Sequence, residues 1–375
     1  MIYFDNSATS YPKPMSVYLK TLEAQLKYSF NSGRGGYKES VKSAEKLFDV
    51  RQKLATLFNA DASNVVFTKN CTEALNIAIK GCAKKGGHIL MSSLEHNSVS
   101  RVVYSLFESS QICFDTFKFS YDDSEILMDI KRKIKPETCV LICTHASNVF
   151  GVTFPIKRIG DYCKRRGIPF VCDCAQTAGI LDVDVKKDNI DILCTAGHKG
   201  LMGAMGTGAM LVNNCAVKPL LQGGTGTSSL DLEHPYDMPE GFEAGTLNNS
   251  GIVSMGAGVD YINKKGMSSI YSHEMAMCKY LYSELSRIPG VKLYTPPPES
   301  YKAVPIIALN YKNYSSEKTA ALLAEHGICT RAGFHCSPLA HEHFKTTDRG
   351  VVRISLGAFN TFSQCEKFIK IIKAL

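Results

Sequence analysis

No stretch of this sequence comes near the run of roughly 18–20 apolar residues that spans a bilayer, although 45% of its 375 residues are hydrophobic. The opening Met1-Ile2-Tyr3-Phe4-Asp5 has neither a basic region nor an apolar core, so no secretory leader is expected and the cytoplasm is the expected location. Long runs of one charge sign are missing as well. The net charge is +8, but Lys131-Arg132-Lys133 and Lys164-Arg165-Arg166 read as solvated helix faces, without the aromatic interleaving of nucleic-acid surfaces. Neither nucleic acid nor membrane is therefore expected as a partner. There is no internal repeat, and no low-complexity tract beyond Pro296-Pro297-Pro298. The 14 cysteines form no disulfide framework, being scattered along a long chain. Cys139, Cys143, Cys172 and Cys194 lie in short apolar runs, where a thiol acts as a small apolar side chain. Cys172-x-Cys174 lacks the second pair that a zinc site needs, so no metal is expected.

What is present is alternation. From about residue 64, short apolar runs (Val65-Val66-Phe67, His88 to Met91, Ile112 to Phe114, Val140 to Cys143, Phe170 to Cys172, Ile192 to Cys194, Ala209 to Val212) take turns with helical segments starting near Thr72, Asn97, Asp122 and Pro155. Strand and helix in turn give an α/β fold with a mostly parallel sheet covered on both faces. Beyond about residue 265 the pattern changes to a long helix (Ser268 to Ser286), a strand (Val304 to Leu309), a helix (Ser315 to Glu325) and a final helix from Phe362. The expected division is an N-terminal segment (1–15) packing with the smaller domain, a large domain (16–264) and a smaller α+β C-terminal domain (265–375).

In parallel sheets, ligands collect at the carboxyl ends of the strands, and the polar clusters of this sequence fall there. Asn70-Cys71-Thr72-Glu73 follows one run and opens a helix, where a hydroxyl and free N–H groups make an anion site; equally, Asn70 or Thr72 could simply cap the helix. Glu95-His96-Asn97, Thr144-His145-Ala146-Ser147-Asn148 and Asp173-Cys174-Ala175-Gln176 end the next runs, and Gly197-His198-Lys199 follows another. A strand-end carboxylate and a lysine after the next strand are what a pyridoxal phosphate enzyme requires. The lysine bonds to the cofactor aldehyde, and the carboxylate keeps the pyridine nitrogen protonated.

The order Thr-Glu, Glu-His, Ser-Asn-Val-x-Gly, Asp-x-Ala-Gln and Gly-His-Lys resembles the class V aminotransferases, and more narrowly the cysteine desulfurases and selenocysteine lyases. The match runs from Phe4-Asp5-Asn6-Ser7-Ala8-Thr9 to Arg353-Ile354-Ser355-Leu356. The resemblance implies the fold of type I pyridoxal-phosphate-dependent transferases. It implies that Lys199 holds the cofactor, His96 stacks on its ring, Asp173 meets the pyridine nitrogen and Gln176 the phenolic oxygen. Thr72, with its neighbour Glu73, and His198 would serve the phosphate end. Asn148, Arg353 and Arg331 would hold the substrate. Thr246 would reach the phosphate of a neighbouring subunit, since members are homodimers.

Arg331-Ala332-Gly333-Phe334-His335-Cys336 resembles the Arg-x-Gly-x-His-Cys segment that carries the persulfide cysteine in the branch with a short catalytic loop. A cysteine beside His335 and near Arg331 can be held partly as thiolate. Lys199, Cys336 and His96 are then the catalytic residues. L-cysteine is the expected substrate, with L-selenocysteine as an alternative, alanine the product and a sulfur-acceptor protein a further partner. Other class V reactions (aminotransferase, epimerase, a lyase making pyruvate) do not need a nucleophilic thiol. Two departures stand out. Ala196, preceded by Thr195, occupies a position where relatives often have a phosphate-binding serine, and Tyr37, in Arg34-Gly35-Gly36-Tyr37, stands where a histidine is expected.

Overall fold

The computed structural model describes residues 1–33, 35–300 and 302–375; Arg34 of the N-terminal motif lies outside the described residues. Each of the seven apolar runs forms a strand, and all seven join one sheet. Its order is Val65–Thr68, Gly208–Val212, Ile192–Ala196, Phe170–Asp173, Thr138–Thr144, Gly87–Ser92, Ile112–Phe117. Side chains alternate between two cores. Leu141, Cys143, Phe170, Cys172, Leu193 and Leu211 face one, while Val140, Ile142, Val171, Ile192, Cys194 and Met210 face the other. Strand residues project to opposite faces in turn, and here helices cover both, so each central strand is apolar throughout instead of alternating with polar residues. Helices Lys38–Phe58, Asp123–Lys133, Ile156–Arg166 and Asn249–Lys265 pack on the first face. Cys71–Cys82 and Asn97–Glu108 cover the second.

One strand departs from the parallel pattern. Gly208–Val212 runs antiparallel to both neighbours. The segment joining it to Ile192–Ala196 contains no helix, and a parallel return would need a crossover of a dozen or more residues. The chain therefore doubles back, and the loop that doubles back carries Lys199. Gly208 is required at this point, because a Cβ there would lie 2.7 Å from the carbonyl carbon of Asn70. Its absence lets the reversed strand come up beneath the turn that opens helix Cys71–Cys82.

Two further sheets complete the fold. Val352–Ser355, Ile306–Tyr311 and Val291–Leu293 form an antiparallel one, and Ile2–Tyr3 pairs parallel with Ile328–Cys329. Helices Met267–Leu285 and Phe362–Ala374 bury Leu281, Phe368 and Ile372 against these strands, together with Ile2 and Phe4. No helix among the described residues is long and apolar enough to cross a membrane.

Candidate active site

The carboxyl ends of Thr138–Thr144, Phe170–Asp173 and Ile192–Ala196 open into one cavity of 190 Å³. Thr72, His96, Asn148, Asp173, Gln176, His198 and Lys199 all line it. Sequence positions spread over more than a hundred residues thus meet because parallel strands deliver their ends to one edge.

At one end stands the first turn of Cys71–Cys82. Asn70 is its cap, its Oδ1 accepting from Glu73 N–H at 2.9 Å. Thr72 takes no part in that cap and faces the cavity. Glu73 does not join it. Its Oε2 accepts from Lys69 N–H at 2.5 Å and its carboxylate pairs with Lys69 Nζ at 3.6 Å. This return of an acidic side chain from the third helical position to the entering backbone is helix capping, and it engages the Glu73 carboxylate with Lys69.

Asp173 is held from two sides at Oδ1, by Ala175 N–H at 2.8 Å and by the Cys71 thiol at 3.4 Å. Gln176 Nε2 donates to Ser7 O at 3.2 Å, which ties the cavity wall to the N-terminal segment. The same segment clamps the lysine loop. Ser10 N–H, Thr9 Oγ1, Ser10 Oγ and Lys13 Nζ all donate to the carbonyl of His198, at 3.1 to 3.2 Å. Burial lowers the pKa of Lys199, with Arg353 and Arg331 adding to the effect and Asp173 and Cys71 opposing it. A buried amine that sheds its proton more readily can act as nucleophile and base.

His96 caps helix Asn97–Glu108, its Nδ1 accepting from Ser98 N–H at 3.1 Å. That bond leaves the ring proton on Nε2. Burial brings its pKa down to about 4, so the ring is neutral at neutral pH.

Cys336 is the one exposed thiol among the described residues; the other thirteen cysteines are buried or half-buried. Its loop is tied to the cavity wall at two points. The Cys336 carbonyl accepts from Asn97 N–H at 2.7 Å, next to His96. The His335 carbonyl accepts from Asn148 Nδ2 at 2.9 Å, and Asn148 Oδ1 accepts from Ser337 Oγ at 2.7 Å. The amide of Asn148 thus positions the cysteine segment from the cavity wall with one N–H and one lone pair, and the residue also lines the cavity. Within the loop His335 (φ 49°) and Cys336 (φ 58°) are both left-handed. Two successive non-glycine residues in this region cost on the order of 1–3 kcal/mol each and persist only when surrounding bonds impose them.

His335 does not support the thiolate. It is buried, its Nε2 faces Val351 O at 3.1 Å, and burial pushes its pKa down to about 3. A neutral ring bonded away from the sulfur supplies no positive charge. The cation beside Cys336 is Arg331, whose Nη2 lies 3.9 Å from Sγ. Arg331 and Arg353 are backbone partners in an antiparallel bridge, so the two arginines are placed side by side. Arg353 is buried; its Nη1 donates to Asn148 O at 2.8 Å, its Nη2 meets Asp5 Oδ1 at 2.5 Å, and its Nε has no partner.

Thr246 lines a different cavity, of 610 Å³, with Arg51, Glu243 and Phe48. Within one chain it does not reach Lys199. Ala196 lines the lysine cavity, whereas Thr195 lies between Cys194 and Ala196, both of which face the second core. Strand alternation turns Thr195 the other way, so its hydroxyl does not replace the missing serine. Tyr37 is exposed and packs edge-on against Phe30, 6.1 Å between ring centres.

A second, small cavity of 40 Å³, also bordered by Lys199, is lined by Glu274. This carboxyl is buried, its Oε2 has no partner, and burial raises its pKa to about 8. A carboxyl with a higher pKa folded than unfolded contributes stability that is complete below an unfolded value of about 4.3 and is lost as pH rises through the folded one. Glu274→Gln should leave the denaturation midpoint nearly unchanged at pH 4 and raise stability at pH 8 by up to a few kcal/mol. An equal effect at both pH values would show that Glu274 titrates alike in both states.

The residues present fit pyridoxal 5'-phosphate. His198 Nδ1 is buried without a partner in the cavity wall, and the helix start at Cys71–Thr72 offers N–H groups to an anion. Asp173 supplies the buried carboxylate, and Lys199 the amine. Sequence reading had not assigned roles to Asp5, which neutralises Arg353 across 348 positions, to Cys71, or to the clamp from Thr9, Ser10 and Lys13. Asp5 and Thr9 stood inside a quoted motif, but nothing in a linear sequence tells which arginine or carbonyl they meet.

Comparison with known proteins agrees with this geometry. The family model described as "Aminotransferase class-V" matches residues 2–368. A probable cysteine desulfurase of Methanothermobacter thermautotrophicus is 32% identical, over 97% of this chain and 92% of its own length. One from Pyrococcus abyssi is 32% identical over 100% and 94%. The apo structure of cysteine desulfurase from Thermococcus onnurineus NA1 superposes with a TM-score of 0.92 at 31% identity, covering 100% of this chain and 94% of that one. The chain belongs to the class V aminotransferase family and stands among its cysteine desulfurases.

Proposed function

We propose that this protein is a pyridoxal 5'-phosphate-dependent cysteine desulfurase that converts L-cysteine to L-alanine and retains the sulfur as a persulfide on Cys336. The observation that carries this reading is the exposed Cys336 thiol, fastened by Asn97 and Asn148 to the wall of the cavity that holds Lys199 and Asp173. Pyridoxal 5'-phosphate, when bound, supplies an electron sink for the substrate Cα. Thr72 and His198 would hold its phosphate, Asp173 its ring nitrogen, Gln176 its phenolic oxygen, and His96 would lie against its ring. Lys199, its pKa lowered by burial, accepts the proton from Cα. Arg353, with Nε unengaged, and Arg331 hold the substrate carboxylate and keep the site positive. Cys336 thiolate attacks the substrate sulfur. The new S–S bond forms as the C–S bond breaks, the carbon side keeps the electron pair and gains a proton, and alanine leaves. His96 Nε2–H is a proton carrier for this exchange. The sulfur then passes to an acceptor protein in the cytoplasm, for which iron–sulfur cluster assembly is the natural outlet.

The test is product analysis with L-cysteine and a reductant. Alanine in a 1:1 ratio with sulfide is expected, whereas pyruvate and ammonia would overturn the reading in favour of a lyase.

We read the large domain as residues 16–264, the small one as 265–375, and residues 1–15 as belonging with the latter through the Ile2–Tyr3 pairing. The working form is a homodimer. Met15, Leu19, Leu22 and Leu26 form one apolar stripe on helix Met15–Lys27 and are 68%, 60%, 55% and 74% exposed. A face of this kind is costly to leave in water and suits a second copy. Thr246, remote from its own Lys199, would then serve the partner's phosphate. Leu19→Glu with Leu22→Glu should convert the dimer to monomer in sedimentation and weaken cofactor retention. A monomeric wild type would remove the stripe's proposed role.

A further inference from the structure

Most thiols here are isolated or sealed in the cores, but one pair lies across two distant elements near the surface. Cys82 is the last residue of helix Cys71–Cys82, and Cys215 lies in the segment that leaves strand Gly208–Val212. Their sulfurs are 3.7 Å apart, across 133 positions of sequence. The approach is built into the packing. Gly81 has no Cβ, and one placed there would sit 2.4 Å from Val217 Cγ1 and 2.9 Å from the carbonyl of Lys218. Any side chain at residue 81 would push the segment off the helix end and separate the two thiols. The other close pair, Cys172 and Cys174 at 3.5 Å, is fully buried on either side of Asp173 and out of reach of an oxidant.

We propose that Cys82 and Cys215 are a redox-active pair that closes a reversible disulfide, a modification site separate from the persulfide cysteine. Cys215 is half-buried and is the more accessible thiol of the pair, Cys82 being buried. The hydrogen bond from Cys82 lowers its pKa, with Lys84 helping and burial opposing, while Cys82 stays a buried thiol with its pKa raised. The chemistry balances with a hydroperoxide as oxidant. Cys215 thiolate takes the distal oxygen, the O–O bond breaks, and a sulfenic acid and an alcohol or water result. The Cys82 thiol attacks that sulfur, the S–S bond forms and water leaves. Closure to an S–S distance of about 2.05 Å needs a movement of less than about 2 Å. The disulfide would join the far end of the helix whose first turn faces the Lys199 cavity to the start of the long segment leading to Thr246.

The experiment is hydrogen peroxide treatment of the full-length protein, alkylation of remaining thiols, and peptide mass spectrometry without reduction. A Cys82–Cys215 linked peptide should form within minutes and disappear with dithiothreitol. In Cys82→Ser, lacking the resolving thiol, Cys215 should accumulate as a sulfenic acid trapped by dimedone. In Cys215→Ser, Cys82 should remain an alkylatable thiol. The proposal is overturned if wild-type Cys215 stays reduced while Cys336 oxidises, or if it gathers sulfenic or sulfinic acid without forming the link.

Discussion

Lys199→Ala should abolish cysteine turnover, with a loss of at least the roughly 10²–10⁴-fold that a positioned general base contributes. The larger effect follows because one amine has two tasks, bonding to the cofactor and accepting the Cα proton. Borohydride treatment of the wild type should fix the cofactor irreversibly to the chain, and the labelled peptide should contain Lys199. In the variant no such adduct should form, although Asp173, His198 and Thr72 remain and cofactor should still bind reversibly. That distinction matters, because Lys199 sits next to the clamped His198 carbonyl and a mere collapse of the loop would remove binding as well. An adduct mapped to another lysine would overturn the assignment of the site.

Cys336→Ala separates cysteine from selenocysteine. An unperturbed thiol has a pKa of about 8.5, and removal of sulfur from cysteine relies on a second thiolate to capture it. A selenol is a stronger acid and a better leaving group, so selenium can depart without that capture. The variant should therefore lose alanine formation from cysteine while keeping a substantial fraction of activity on selenocysteine and an unchanged cofactor absorption spectrum. Since Cys336 is exposed and its side chain anchors nothing else but a distant contact to Arg331, stability should change by less than about 0.5 kcal/mol, as at ordinary surface positions. Surviving cysteine turnover would show that another thiol carries the sulfur.

The strands were legible because burial on both faces leaves a continuous apolar run, as in Val140-Leu141-Ile142-Cys143, whichever face each residue takes. One helix start was legible because Asn70 caps it with a side chain that suits the task, whereas the cap from His96, a residue type not favoured there, was not. Less could be read where a residue's partner is remote. Glu73 sits in the motif that identifies the anion site, yet local capping claims its carboxylate. His335 stands one position from the cysteine, yet left-handed backbone at both residues sends the two side chains apart, one into the core and one to solvent. Sequence adjacency suggested a pair; backbone conformation separated it.

By itself, then, the sequence determined the strand–helix alternation, the set of polar residues at the strand ends, and the thiol-bearing segment, because each depends on local pattern or on a motif a few residues long. The tertiary structure alone decided that Asp5 neutralises Arg353, that Asn148 anchors the cysteine loop, that Arg331 is the cation beside Cys336, and that Cys82 meets Cys215. Those contacts join points from five to 348 positions apart. They exist only after sheet order and loop conformation have fixed where each chain segment ends, since the hydrogen bonds and charge interactions that define them act over a few ångströms in space and carry no record along the chain.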